Sequence, residues 1–317
     1  MSFSARPNTF LIGAPKCGTS ALAQYLADHP AVFFCTPKEP FHFSSDYPGL
    51  ARLNGVVTEE DYLRLFAAAR PEHRVIAEGS TNYLASHVAI GNILRFDPNA
   101  RFIAMLRNPI DVAYAYHAEM VYAYMDDVTD FAEAWRLQSA RAAGQRIPPA
   151  CHAPQLLQYR EVARFAPQVE RFFALVPESQ RQVILFDDFA ADTGGIYRRI
   201  LAFLGLCDDG RRDFPRVNEA RERRFGPVFA WLNDPPSALA GPVLALRRRL
   251  RRTRSGVIGR VRDRLNNYRP RPALPAELRE RLRLEFHDEV LELGSLLGRD
   301  LSSWVSPPDA SARSASG

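Results

Sequence analysis

The densest chemistry in the sequence lies in one loop, Gly13-Ala-Pro-Lys-Cys-Gly-Thr-Ser20. It follows a short apolar run, Thr9–Gly13 (TFLIG), and leads into Ser20–Ala27, where Leu22, Tyr25 and Leu26 recur at helical spacing. The order therefore reads strand, tight turn, helix. A turn in that place aims several backbone N–H groups at one point beside the positive end of a helix dipole, which suits a phosphate or a sulfate. Gly18 allows close backbone approach, Thr19 and Ser20 add hydroxyl donors, and Lys16 adds a mobile point charge. A Walker A loop carries its lysine directly after the second glycine. Here Lys16 precedes Gly18 by two residues, and Thr19 stands where that lysine would be.

Lysine is otherwise almost absent. Of 41 Lys plus Arg residues only Lys16 and Lys38 are lysine, so both mark places where a compact ammonium is wanted instead of a planar guanidinium. Arg107 is a further candidate. It follows the apolar run Phe102–Leu106 and precedes Asn108, a residue type that caps helices, and Pro109, which suits a first helical position. That is the C-terminal end of a strand beside a helix start, where doubly wound sheets bind ligands. An Arg there fits a bidentate contact to phosphate, and Asp111 is spaced to pair with it.

These residues need a frame. Strand-like runs occur at Thr9–Gly13, Val32–Phe34, Arg74–Ala77, Phe102–Leu106 and Val183–Phe186. Helical patterns lie at Glu59–Ala69, Pro109–Met125, Phe131–Ala142, Gln158–Leu175, Ile196–Leu204 and Pro275–Leu297. The alternation predicts an α/β fold: a central, mainly parallel sheet flanked by helices, with a P-loop-like anion site. The 317 residues, 46% apolar and 24% charged, suit a globular protein of one large domain, expected over 1–305. Within it, 226–272 forms a variable basic segment centred on Leu246–Arg254 (LRRRLRRTR), and 306–317 reads as a disordered tail. No apolar run is long enough to cross a membrane, and MSFSARPNTFLIG lacks the pattern of a secretory signal. Four scattered cysteines without metal-ligand spacing suit a reducing compartment, so the expected address is cytoplasmic and no metal is expected.

PKCGTS, at residues 15–20, resembles the 5′-phosphosulfate loop of sulfotransferases that use 3′-phosphoadenosine 5′-phosphosulfate (PAPS). Pro37-Lys-Glu-Pro-Phe-His-Phe43 resembles the KEPHFF-type segment of bacterial and glycan sulfotransferases, and Ala77–Leu84 (AEGSTNYL) their GEGSxxYL stretch. Arg101–Tyr116 is similar to their 3′-phosphate segment, Val183–Leu206 to a later strand–helix unit, and Leu274–Trp304 to their C-terminal helix. The resemblance covers nearly the whole chain outside 226–270 and the tail.

It implies a role for each matching residue. Lys16 would sit on the bridging and 5′-phosphate oxygens and stabilise the leaving product, 3′-phosphoadenosine 5′-phosphate (PAP), while Cys17, Gly18, Thr19 and Ser20 hold the phosphosulfate. Cys17, at a helix N-terminus, is where a thiol pKa could be lowered; the plainer reading is a small residue that fits the loop. Glu39 is the first candidate for general base and His42 the second, although His42 stands one position from the usual histidine and reads as a packed residue among aromatics. Arg107 would hold the 3′-phosphate, but the family's serine eight residues on is Ala115 here. Phe186 aligns with an adenine-side aromatic, and Asn218, Arg221 and Arg224 with a late loop over the 3′-phosphate.

The partner is then an acceptor hydroxyl on a glycan, lipid-linked sugar, small alcohol or phenol; no nucleic acid is expected. The basic segment additionally suits a peripheral contact with an anionic membrane. Two other functions compete: a P-loop kinase or NTPase, and an inactive protein of the same fold that docks a polyanion or a membrane through Arg247–Arg264. The first lacks a lysine after the second glycine and a strand-ending aspartate for Mg²⁺; Glu78 and Asp187, the strand-end acids, fall in stretches that resemble the sulfotransferases.

Overall fold

The computed structural model describes residues 5–123, 125–215 and 272–307. The chain divides into two compact units. Of the described residues, 5–116, 159–215 and 275–307 belong to the first, and 117–123, 125–158 and 272–274 to the second. Asn218, Arg221 and Arg224, the basic segment up to 271 and the tail from 308 lie outside the described residues.

In chain order the elements are β1 (Thr9–Gly13), α1 (Thr19–Ala27), β2 (Val32–Phe34), α2 (Pro48–Leu53), α3 (Glu59–Arg64), β3 (Val75–Glu78), α4 (Ala89–Phe96), β4 (Arg101–Leu106) and α5 (Pro109–Tyr122). There follow α6 (Phe131–Arg136), α7 (Gln138–Ala142), α8 (Tyr159–Ala163), α9 (Phe165–Leu175), β5 (Arg181–Leu185), α10 (Phe186–Ala191), α11 (Thr193–Phe203) and α12 (Ala276–Leu297). All five strands belong to the first unit and pair in parallel, in the order β2-β3-β1-β4-β5. From β1 the chain crosses to the edge strand β2, comes back inward to β3 beside β1, and then passes to the other side of β1 for β4 and β5. The reversal leaves a crevice at the C-terminal ends of β1 and β4, the place where such sheets take ligands.

Strands covered on both faces read as continuous apolar runs. Phe10 and Ile12 of β1, and Phe102 to Leu106 of β4, have no exposed surface. The Phe10 ring stacks on Phe102 and meets Phe43 edge-on, both at 5.9 Å, so the segment after β2 is packed onto the sheet centre.

The pattern placed every strand, with boundary shifts of one or two residues. Two long helical patterns are broken. Residues 131–142 form α6 and α7, separated at Leu137. Residues 158–175 form α8 and α9, with Arg164 between them. Pro167 explains the second break: without an N–H, and clashing with the preceding turn, it is tolerated only near a helix start, and it falls in the first turn of α9. The Glu289 carboxylate accepts from Ala166 N at 2.8 Å at that same helix start. Phe186, expected to end a strand, opens α10 instead. In the second unit, Arg141 and Asp126 form a fully buried bidentate pair at 2.8 and 2.6 Å, which matches the two charges inside that core. Among the described residues no helix is long and apolar enough to cross a membrane.

Candidate active site

The loop after β1 is built for close approach. Gly18 has φ 89°, and Lys16, two residues before it, also lies in the left-handed region at φ 63°. The loop thereby turns back on itself directly before α1, whose first turn carries Thr19 and Ser20. Ala14 N donates to Met105 O at 2.7 Å, tying the loop to the end of β4. Lys16 is exposed, Ser20 half-buried and Thr19 buried. Cys17 has no exposed surface, and its thiol donates to Pro15 O at 3.4 Å. Burial pushes that thiol well above the usual range, more than Arg107 and Lys16 lower it.

Lys38 and Glu39 come from the segment after β2 and face the same loop. The Lys38 ammonium lies 3.1 Å from Glu39 Oε1 and donates to Thr19 Oγ1 at 3.5 Å. Glu39 Oε2 accepts from Thr81 Oγ1 at 3.2 Å. One ammonium thus links the anion loop to a carboxylate that is one-third exposed. His42 is placed differently. Its ring stacks on Tyr62 at 4.4 Å with 8° between planes, and burial lowers its pKa, with Glu59 opposing.

Arg107 leaves the end of β4. Its guanidinium lies over the Phe186 ring at 4.7 Å, and one of its nitrogens is 3.6 Å from Asp111. Arg279 of α12 donates to the other oxygen of Asp111 at 3.0 Å. Two guanidinium groups therefore converge on one carboxylate, each about one-third exposed. Ala115, one turn further along α5, is buried. The corner is fastened from the end of the unit. Asn108 caps α5, accepting from Ile110 N at 3.0 Å, and donates through its amide to Trp304 O at 2.9 Å. The Trp304 indole donates to Asp187 at 2.7 Å, which ties in the first turn of α10.

Behind Glu39 lies a group that sequence reasoning passed over. Glu78 ends β3, is fully buried, and accepts from Tyr62 and Tyr83 at 3.0 Å each and from Ser80 at 2.8 Å. Burial raises its pKa to about 7, against the three hydrogen bonds and with a smaller contribution from Glu39. The sequence showed Glu78 only as a strand-ending acid; its hydroxyl partners are spread from position 62 to 83. Arg279 was likewise hidden among the many arginines. Among the described residues no group of three or more His, Cys, Asp or Glu side chains is arranged to hold a metal ion.

Fold and site together define a class: a P-loop-like α/β protein, with the Lys16–Ser20 loop at the sheet's reversal point and the Lys38–Glu39 pair beside it. The chain belongs to the sulfotransferase family, whose sequence profile matches residues 7–209. It is 31% identical to human carbohydrate sulfotransferase 15 over a stretch covering 34% of this chain and 26% of that protein. It is 24% identical to the bifunctional heparan sulfate N-deacetylase/N-sulfotransferase 2 of Bos taurus, covering 69% of this chain and 23% of that one. The matches thus span about a quarter of the length of these relatives. The crystal structure of a sulfotransferase from Alicyclobacillus acidocaldarius superposes with a TM-score of 0.69 at 27% identity, covering 95% of this chain and 99% of that one.

Proposed function

We propose that this protein transfers the sulfuryl group of PAPS to an acceptor hydroxyl, with Glu39 as general base and PAP as product. The observation that carries this reading is the Lys38 ammonium between Thr19 of the anion loop and the Glu39 carboxylate. This contact supports the reading, because an in-line transfer needs the loop that holds the donor and the base that takes the proton to lie close together.

In this reading the backbone of residues 16–20 and the hydroxyls of Thr19 and Ser20 hold the 5′-phosphosulfate. The acceptor oxygen attacks sulfur as its proton passes to Glu39. The bond from sulfur to the bridging oxygen breaks, and Lys16 stabilises the charge left on PAP. Lys38 neutralises the sulfuryl oxygens in flight. Arg107, backed by Phe186, takes the 3′-phosphate, and Arg279 is close enough to share it. Asn218, Arg221 and Arg224 are assigned to the same phosphate from the resemblance alone. Side-chain cations meet the electrostatic demand, so the proposal includes no metal. His42 is a packed residue in this reading, and its stacking on Tyr62 supports that.

The names of the relatives favour a glycan acceptor. Four free cysteines, two of them buried, support a reducing, cytoplasmic setting. Contact of the basic segment with an anionic membrane is kept as a proposal from sequence alone, tested by sedimentation with anionic and neutral vesicles.

The test is ligand stabilisation followed by an acceptor screen. PAP at a hundred times its dissociation constant should add about 2.7 kcal/mol of apparent stability. Labelled PAPS should then mark one class among glycans, alcohols and phenols. Equal protection by Mg·ATP would point to a kinase and overturn the reading.

A further inference from the structure

The segment that carries Lys38 and Glu39 has no regular secondary structure between β2 and α2, so its shape depends on tethers. Gly79 N donates to Lys38 O at 3.2 Å, and Asn54 donates to Glu39 O at 2.5 Å. Two more tethers use hydroxyls as acceptors. Phe41 N donates to Ser80 Oγ at 3.1 Å, and Phe43 N donates to Tyr83 Oη at 3.2 Å. Phe41 sits at φ 55°, in the left-handed region, so this stretch needs holding.

A hydroxyl has one hydrogen to give. Ser80 and Tyr83 both give theirs to Glu78, at 2.8 and 3.0 Å. Each therefore turns only lone pairs toward the backbone amides. A carboxylate, which only accepts, enforces that polarity on both hydroxyls and on Tyr62 at once. A neutral acid must place a hydrogen of its own among the same three oxygens. One hydroxyl must then turn its hydrogen elsewhere inside a buried pocket.

We propose that Glu78 is a positioning residue for sulfuryl transfer: its carboxylate polarises Ser80 and Tyr83 so that they hold Phe41 and Phe43, and through them Lys38 and Glu39. The inference rests on the reading of the site given above. The groups facing Glu78 are Tyr62 from α3, Ser80 and Tyr83 from the loop after β3, Cys35 after β2, and Glu39. Lys38 lies beside Cys35 and Glu39, and His42 stacks on Tyr62. With its pKa raised to about 7 by burial, Glu78 changes charge across neutral pH. The tethers are then set fully only on the alkaline side, and turnover rises with them.

The experiment compares the intact protein with Glu78→Gln at pH 8, by amide hydrogen exchange, PAP calorimetry and turnover of labelled PAPS with water as acceptor. Exchange at Phe41 should be about tenfold faster, the loss of one buried hydrogen bond. Exchange in β1 and β4, the melting temperature and PAP affinity should not suffer. The rise in turnover through about pH 7 should disappear. Tyr83→Phe, which keeps the ring, should free Phe43 alone and carries the test if the glutamine variant does not fold. Unchanged exchange at Phe41 and Phe43 would overturn the proposal. So would acceleration throughout the sheet with a lowered melting temperature, the mark of a merely structural residue. If PAP fails to bind the wild type, the donor assignment fails, while the exchange data still decide the tether.

Discussion

Gly18 and Phe186 approach so closely that any side chain at position 18 would press on the ring. A Cβ there would lie 3.0 Å from Cδ2 of the ring, which itself lies beneath the Arg107 guanidinium. The backbone at φ 89° adds a second reason, since a residue with a Cβ loses on the order of 1–2 kcal/mol there. Gly18→Ala should lower the melting temperature and weaken PAP binding together. Retained PAP affinity by calorimetry would show that the ring moves aside and does not bear on the donor site.

Lys16→Ala and Glu39→Gln should both abolish most turnover, by different routes. Lys16→Ala should also weaken PAP binding, whereas Glu39→Gln should leave it near normal and lose about 10²- to 10⁴-fold in rate, the usual range for a missing base. His42→Ala should lose stability from the broken stack on Tyr62 more than rate. Loss of rate in His42→Ala with normal Glu39→Gln would move the base to His42.

Arg107, Asp111 and Arg279 should act as a unit. Arg107→Ala and Arg279→Ala should each reduce the preference for PAP over AMP, which lacks the 3′-phosphate; calorimetry with both nucleotides measures it. Ala115→Ser should tighten PAP by roughly 1.5–3 kcal/mol if its hydroxyl reaches that phosphate. Unchanged affinity in Ala115→Ser beside a large loss in Arg279→Ala would mean that Arg279 already fills the place of the missing serine.

Stability should fall as pH rises through 7. Glu78 and Glu289 both have folded-state pKa values raised by burial from 4.5 to about 7. A raised carboxyl favours the fold while neutral: its contribution is complete below 4.5 and lost as pH climbs through 7, on the order of 3 kcal/mol for each group. Denaturant midpoints from pH 5 to 8 check this, and Glu78→Gln should flatten part of the decline. A wild type more stable at pH 8 than at pH 6 would contradict it.

The sheet and the anion loop were legible because both are local. Five apolar runs name five strands, and Gly18, Lys16 and Thr19 lie within four residues of one another. Arg107 was legible from its place between a strand and Asn108-Pro109. The helix breaks were harder, since apolar spacing runs through Leu137 and Arg164 unaltered; Pro167 was the available signal for one of them. Least legible were the groups that depend on distant partners. Nothing near Glu78 announces Tyr62, and nothing near Asp111 announces Arg279, which lies 168 residues away. Lys38 needed the fold as well, because its contact with Thr19 joins two loops on different strands.

The bond from Asn108 to Trp304 spans 196 residues of chain. Synthesis runs from the N-terminus, so the loop after β1 and the segment after β2 emerge well before Trp304 and Arg279. A nascent chain with its five strands already paired would lack the fastening between Asn108 and Asp187. The corner of Arg107, Asp111 and Arg279 is thus finished after the sheet, and a ribosome-bound intermediate should hold the five strands with that corner still open.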